Sequence, residues 1–230
     1  MHMQNPNDHP TCPLCGSSET GLFHEDQRRP YFQCTICLIV FVPQPNHLPP
    51  DEEKSCYDFH QNDPNDAGYR RFLDKLCAPL INKLEPGMQG LDFGCGPGPT
   101  LSLMFEEAGF PCEIYDPFYA HHPGVLEKTY DFLSCSEAIE HFHTPRKEFE
   151  LFLKLVKPSG WIGIMTQLVK SREAFKTWHY TADETHVCYF SEATFRWLAK
   201  QYNLHVEFPG RSVILFQRPP EDLHRTQDSV

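Results

Sequence analysis

The sequence predicts an α/β protein: a doubly wound, mostly parallel sheet with a small cysteine-rich β unit in front of it. Three observations predict this. Short apolar runs of strand length alternate with helix-period segments across residues 88–166, the pattern of βαβ units. The stretch "LDFGCGPGP" (91–99) sets a glycine-dense loop between one such run and the next helix. Two Cys-x2-Cys pairs stand ahead of this region among short β-like runs.

In chain order, "LFHED", "YFQC" and "LIVFV" read as strands around the cysteine pairs. Residues 43–66 are rich in proline and acid with little apolar periodicity, and read as a linker or lid with a turn of helix around Tyr57 to His60. Tyr69, Phe72, Leu73, Leu76, Leu80 and Leu84 then recur at helical spacing, with a kink expected at Pro79. A short strand enters the glycine loop, and a helix follows over Thr100 to Ala108, stopped by Gly109. "PCEIYD" reads as a strand, and "YDFLSCS" as a strand buried on both faces. Thr144 and Pro145 have the chemistry of N-cap and N1 for a helix through "RKEFELFLKLV". "KPSG" reads as a turn into the strand "WIGIMT", and Ser191 as the cap of "EATFRWLAKQY". "LHVEF" and "SVILFQ" form a hairpin about "PG". The expected domains are 1–42, a linker or lid over 43–66, the α/β domain over 67–220 and a flexible tail over 221–230.

Composition narrows the function. The 230 residues are 40% hydrophobic, enough for one ordinary core, and carry a formal net charge of −11. That charge argues against non-specific binding to nucleic acid or an anionic membrane. No apolar run is long enough to span a membrane, and "MHMQNPNDHP" lacks the regions of a signal peptide. A cytoplasmic protein with reduced thiols is expected, six of its ten cysteines being scattered singly. Cys12-x2-Cys15 and Cys34-x2-Cys37 have the spacing of a four-thiolate zinc ribbon, with Gly16 easing the first knuckle. Disulfides or free buried thiols are the alternatives. Four thiolates close the coordination sphere, so such a zinc is structural.

The glycine loop chooses among ligands. Gly94, Gly96 and Gly98 give G-x-G-x-G, while Pro99 stands where a dinucleotide fingerprint needs its third glycine. No lysine follows, so the phosphate loop is excluded as well. Asp116, at the end of the next strand, lies where a carboxylate accepts hydrogen bonds from both ribose hydroxyls of an adenosine.

Taken in order, "LDFGCGPGP", "IYDP", "YDFLSCSEAIEHF" and "LVKPSGWIGIMT" resemble the class I S-adenosylmethionine-dependent methyltransferases, over roughly 68–218. The resemblance is to the branch with an E-x-x-E-H segment after the fourth strand and a late "THV…F" segment. Cysteine-held regions before the fold are similar to those of some sugar C-methyltransferases and some ribosomal RNA methyltransferases. The resemblance implies a Rossmann-like, seven-stranded-type sheet and S-adenosylmethionine as cofactor. It implies that Asp92, Gly94, Cys95, Gly96 and Gly98 line the methionine part, that Asp116 holds the ribose and that Phe118 packs on the adenine. Ser136 and Glu137 match the segment near the transferable methyl. One departure stands out: about fifteen residues separate Asp116 from Asp131, so the usual third strand is shortened or missing.

Residues 167–190 fall on the acceptor side and hold Trp178, His179, Tyr180, Asp183, Glu184 and His186. His186 or His179 is a candidate general base, the alternative being histidines that hold the loop by hydrogen bonds. Glu140 with His141 is a second candidate pair, expected mainly to shape the strand-to-helix loop. Cys95 reads as a small residue in a tight turn rather than a nucleophile, and His121 and His122 as surface. Tyr57, Phe59 and His60 are candidates for a lid. The function expected is methyl transfer to a small molecule or carrier-attached group. The alternatives are an RNA methyltransferase guided by the ribbon and a non-catalytic S-adenosylmethionine-binding module.

Overall fold

The computed structural model describes residues 9–59 and 62–221. Expectations about His60, the first eight residues of the ribbon and residues 222–230 lie outside the described residues. The chain begins with β1 (Thr20–Glu25), β2 (Pro30–Cys34) and β3 (Val40–Phe41). Helices α1 (Pro50–Tyr57) and α2 (Ala67–Ile81) lead to β4 (Gly90–Phe93), α3 (Thr100–Glu107), β5 (Cys112–Tyr115) and β6 (Tyr130–Ser136). Then come α4 (Pro145–Leu155), β7 (Val156–Met165), α5 (Arg172–Phe175), β8 (Cys188–Tyr189), α6 (Glu192–Gln201), β9 (His205–Gly210) and β10 (Val213–Gln217).

The large sheet has the order β5-β4-β6-β7-β10-β9. Its first four strands are parallel, and β10 pairs antiparallel with β7 and β9. Strand alternation splits its side chains between two layers. Phe132, Trp161, Met165, Val213 and Leu215 pack with Leu73, Leu76 and Leu80 of α2 and Leu101 and Phe105 of α3. Leu133, Cys135, Ile162, Ile164, Ile214 and Phe216 pack on the other side with Phe149 and Phe152 of α4 and Phe195 and Leu198 of α6. Among the described residues the sheet has six strands rather than seven, because only a 3-10 turn (Pro123–Glu127) separates β5 from β6. The shortened connection leaves no room for a third strand.

Several local expectations shift. The segment 43–66 carries an eight-residue helix at Pro50–Tyr57, begun by proline and three acids in its first turn, rather than a turn at Tyr57 to His60. "KPSG" lies inside β7, where Ser159 has φ 63° and the pairing with β6 slips between Tyr130 and Phe132. The final hairpin turns at Arg211 and Ser212, and Pro209 and Gly210 belong to β9. Thr144 occupies the N-cap position, but its hydroxyl donates to Glu148 (2.8 Å) instead of capping the backbone. Ser191 forms a capping box with Thr194.

The cysteine-rich unit is joined to the α/β domain through a sheet of order β1-β2-β3-β8, in which Val40 pairs with Tyr189 and Phe41 with Cys188. Arg29, in the β1–β2 hairpin, is 4% exposed. Its guanidinium donates to the carbonyls of Glu184 (2.6 Å), Asp183 (3.0 Å) and His186 (2.9 Å), and to the hydroxyls of Tyr189 and Tyr31. Arg28 donates to the carbonyls of Thr181 and Ala182, both at 2.9 Å. Among the described residues no helix is long and apolar enough to cross a membrane.

Replacing Arg29 by Ala strands three carbonyls and empties a buried volume. Chemical denaturation is expected to show a loss of about 3 kcal/mol. Hydrogen exchange should rise over residues 181–189 before it rises in β4 and β6; equal protection of that loop in the variant would contradict the clamp.

Candidate functional site

The parallel strands β5, β4 and β6 end side by side, so the loops leaving their carboxyl ends form one crevice beside the switch in strand order. Adjacent strands are about 5 Å apart, which places the residues after β5 and after β6 about 10 Å from each other. A cavity of about 610 Å³ fills this crevice. Asp92, Gly94, Cys95, Gly96, Gly98, Asp116, Phe118, Ser136 and Glu137 all line it, as do Tyr69 and Phe72 of α2 and Tyr57 of α1.

Backbone geometry explains the glycines. Gly94 and Gly96 have φ +77° and +64°, the left-handed region that side chains resist. A Cβ on Gly94 would also stand 2.6 Å from the Ala138 Cβ, and one on Gly98 would stand 2.1 Å from the Asn62 carbonyl oxygen. Cys95 is buried between them, and its Sγ faces the Gly96 carbonyl at 3.5 Å. Asp116 sets the rim. Its Oδ2 accepts from the Gly96 N–H (3.0 Å), and its Oδ1 accepts from the N–H groups of Phe118 (2.8 Å) and Tyr119 (3.1 Å).

Asp92 is 3% exposed at the base of the cavity and accepts a hydrogen bond from Ser134 (2.7 Å). Burial pushes its carboxyl up to about 7, with the charge of Asp116 adding to the effect and the Ser134 bond opposing it. Glu137 sits at φ 47° just past β6, its N–H donating to the Met165 carbonyl (2.7 Å). Burial, and then Glu140, push its carboxyl up to about 8. The Ser136 hydroxyl is buried with no hydrogen-bond partner. Among the described residues the lining includes Glu53, Asp92, Asp116, Glu137 and Glu148 but no lysine or arginine.

The lid residues divide. Tyr57 lines the cavity, donates to Glu53 (2.8 Å) and packs its ring against Phe118 and His141. Phe59 is 84% exposed. Sequence reading missed Glu53 and Asn62, which belong to a segment with the composition of a linker, and Tyr69 and Phe72, whose spacing matches a core face equally well. The acids crowding the first turn of α1 were the available signal for Glu53.

The two histidine candidates separate as well. His179 is exposed in the 3-10 turn His179–Ala182 and does not line the cavity, so the structure does not bring it to the glycine loop. His186 is buried, its Nδ1 2.8 Å from the Tyr180 carbonyl and its ring 4.7 Å from that of His141. His141 lines the cavity, and Tyr180 donates to Glu140. His121 and His122 are exposed. At the far end of the ribbon, Cys12, Cys15, Cys34 and Cys37 converge, with sulfur atoms within 4.8 Å of one another and the nearest pairs at 3.4 Å. Zinc–sulfur bonds of about 2.3 Å in a tetrahedron give sulfur separations of about 3.8 Å, so the donor set fits a zinc ion. It is too open for disulfides, whose sulfurs are about 2 Å apart. Gly16 (φ 77°) and Leu38 (φ 63°) occupy matching places after the second cysteine of each knuckle.

Comparison with known proteins adds lineage. The family model described as "Methyltransferase domain" matches residues 67–207, more than half of the chain. The ubiquinone biosynthesis O-methyltransferase of Photorhabdus laumondii is 30% identical over 77 residues, 34% of this chain and 32% of that protein. The protein of the same name from Proteus mirabilis is 31% identical over 77 residues, 34% of this chain and 31% of that protein. The chain thus spans about a third of the length of the curated relatives it matches. An O-methyltransferase family protein from Burkholderia thailandensis superposes with a TM-score of 0.50 at 13% identity, over 74% of this chain and 64% of that one, a likeness of fold.

The elevated Asp92 carboxyl has a pH signature. Between the unfolded value near 3.9 and the folded value of about 7, the folded state holds a proton that the unfolded state has released. Stability contributed this way is present at low pH and is lost as pH rises to 7. Wild type should therefore lose up to about 4 kcal/mol relative to Asp92→Asn between pH 4 and pH 7. Parallel stability curves for the two proteins would show that Asp92 titrates normally.

Proposed function

The chain belongs to the methyltransferase domain family, and on that premise we propose that it transfers a methyl group from S-adenosylmethionine to an oxygen of a small, uncharged acceptor. The observation that carries this reading is the chemistry of the cavity: among the described residues, five carboxyl side chains, no lysine and no arginine, around a loop of three glycines. S-adenosylmethionine brings a methyl group on a sulfonium already activated for displacement, together with an ammonium and no phosphate. A nucleotide phosphate would meet no lysine or arginine among the described residues of these walls.

The residues divide the work. Gly94, Gly96 and Gly98 let backbone approach the ligand, and Asp92 offers a carboxylate to its ammonium. Asp116, with lone pairs beyond its three backbone bonds, accepts from the ribose hydroxyls. Phe118 offers a half-exposed face to the adenine. The unpartnered Ser136 hydroxyl supports a polar ligand at that wall. Tyr57, Tyr69 and Phe72 give the rest of the cavity an aromatic surface suited to an uncharged ring, where an anion would meet Glu137. The oxygen as receiving atom rests on the curated relatives, both named as O-methyltransferases. The four cysteines hold a structural zinc that keeps the ribbon folded. The acid lining weighs against RNA as acceptor.

Calorimetry should find S-adenosylmethionine and S-adenosylhomocysteine binding at micromolar concentrations, weakened at least tenfold by Asp116→Ala. No binding of either at about 1 mM would remove the reading. Transfer of labelled methyl should appear in small-molecule pools and not in total RNA; the reverse would return the RNA alternative. Metal analysis should find at least one zinc per chain, and a chelator strong enough to remove it should loosen residues 181–189 along with the ribbon. Less than about half an equivalent of zinc would exclude the structural site.

A further inference from the structure

Past Asp116 the cavity is shaped by what the connection between β5 and β6 leaves out. That connection holds a 3-10 turn and no longer helix, and β5 is the edge strand of the large sheet. On one side of the sheet α3 is packed down, with Leu101 and Phe105 in the cluster that holds Phe110, Cys112 and Phe132. On the other side Phe93 packs on Phe152 of α4 (4.9 Å between ring centroids) and on Tyr115 (5.0 Å). The cavity follows this second side. Phe93, Tyr115 and Phe142 line it, and so do Glu148 and Leu151, three residues apart on one face of α4. A nucleoside whose ribose hydroxyls bond Asp116 carries its base one ring's reach from that carboxylate. With α3 closing the first side, the base enters the aromatic flank beside α4.

Glu148 supplies an independent observation. Its Oε1 accepts from the Thr144 hydroxyl (2.8 Å), and its Oε2 is buried without a hydrogen-bond partner. A buried carboxylate oxygen in that state calls for a donor. Glu53, which reaches the same loop at His143, differs: its Oε1 accepts from Tyr57 (2.8 Å) and lies 3.3 Å from His143 Nε2. We propose that Glu148 reads the adenine of S-adenosylmethionine, its Oε2 accepting a hydrogen bond from the exocyclic amino group. This role rests on the S-adenosylmethionine reading and gives the cavity a preference among bases. A purine lacking the amino group offers the oxygen no donor, and a site built to bond a donor rejects the analogue without it. The carboxyl comes from the first turn of α4, where the short β5–β6 connection leaves it facing the cavity. Tyr115 and Phe142 give the ring its apolar surroundings.

The test compares S-adenosylhomocysteine with its 6-deamino analogue, which carries purine in place of adenine, by calorimetry on the zinc-replete full chain. Burial raises the Glu148 carboxyl and the Thr144 bond opposes the rise, so the titrations are run at pH 8. The wild-type protein is expected to bind the adenine compound at least tenfold more tightly. Glu148→Leu should bring the two within about threefold, and Glu148→Gln, which keeps a neutral acceptor, should fall between. Asp116→Ala should weaken both compounds alike and leave their ratio unchanged. Equal binding of the two by wild type, or a ratio that survives Glu148→Leu, would overturn the role of Glu148 while methyl transfer stands. Should Glu148→Leu prevent folding, Glu148→Gln decides, an undiminished ratio overturning the role. Binding of neither compound at about 1 mM would remove the S-adenosylmethionine reading and this role with it.

Discussion

Arg29 places a permanent positive charge beneath residues 183–189 and satisfies three of their carbonyls in a region closed to water. The guanidinium is held in turn by its own hairpin. Asp26 accepts from the backbone N–H groups of residues 28 and 29 and from the Tyr31 hydroxyl, and Tyr31 accepts from Arg29 Nε. A loop so rich in polar backbone could not be buried alone. With Arg29 in place it becomes a fixed platform, whose Tyr180 and Thr185 carbonyls face Nδ1 of His186 (2.8 Å) and of His141 (3.3 Å). The ribbon is therefore a support for the loop whose Thr185 contacts His141 of the cavity lining. Its cysteines shape the hairpin, the hairpin positions Arg29, and Arg29 sets the loop.

The second organising constraint is the ordering of strand ends. With β4 between β5 and β6, the glycine loop is flanked by Asp116 on one side and by Ser136 and Glu137 on the other. Ala138 packs so closely on Gly94 that Gly94 tolerates no side chain. Sheet geometry alone sets Asp116 and Glu137 on opposite flanks of the glycine loop, two strand spacings apart. The lid completes the enclosure from the N-terminal side. Asn62 covers Gly98, and Tyr57 bridges Phe118 and His141, touching both ends.

The parallel core and its glycine loop were legible because their signals are local: apolar runs of strand length, glycines where φ is positive, a carboxylate at each strand end. The nine residues singled out around the loop come together in one cavity for that reason. Arg28 and Arg29 were legible only as charges near acids, since their partners lie more than 150 residues away. No periodicity carries a contact of that separation. Glu53 and Asn62 sat in a segment whose prolines and acids argue for a linker, and tertiary packing overrode that composition. His179 and His186 could not be told apart by sequence, because the difference between them is which one the Arg29-bound loop turns inward.

Burying carboxyls in a cavity without lysine or arginine destabilises the folded chain, and Asp92 responds by holding its proton. Natural proteins keep such arrangements where a ligand supplies the missing charge. A cationic ligand beside Asp92 restores its ionised form, so ligand binding there releases a proton below pH 7 and stabilises the fold by more as pH rises toward 7. The acidic lining is thus better understood as a place prepared for positive charge beside the glycine loop.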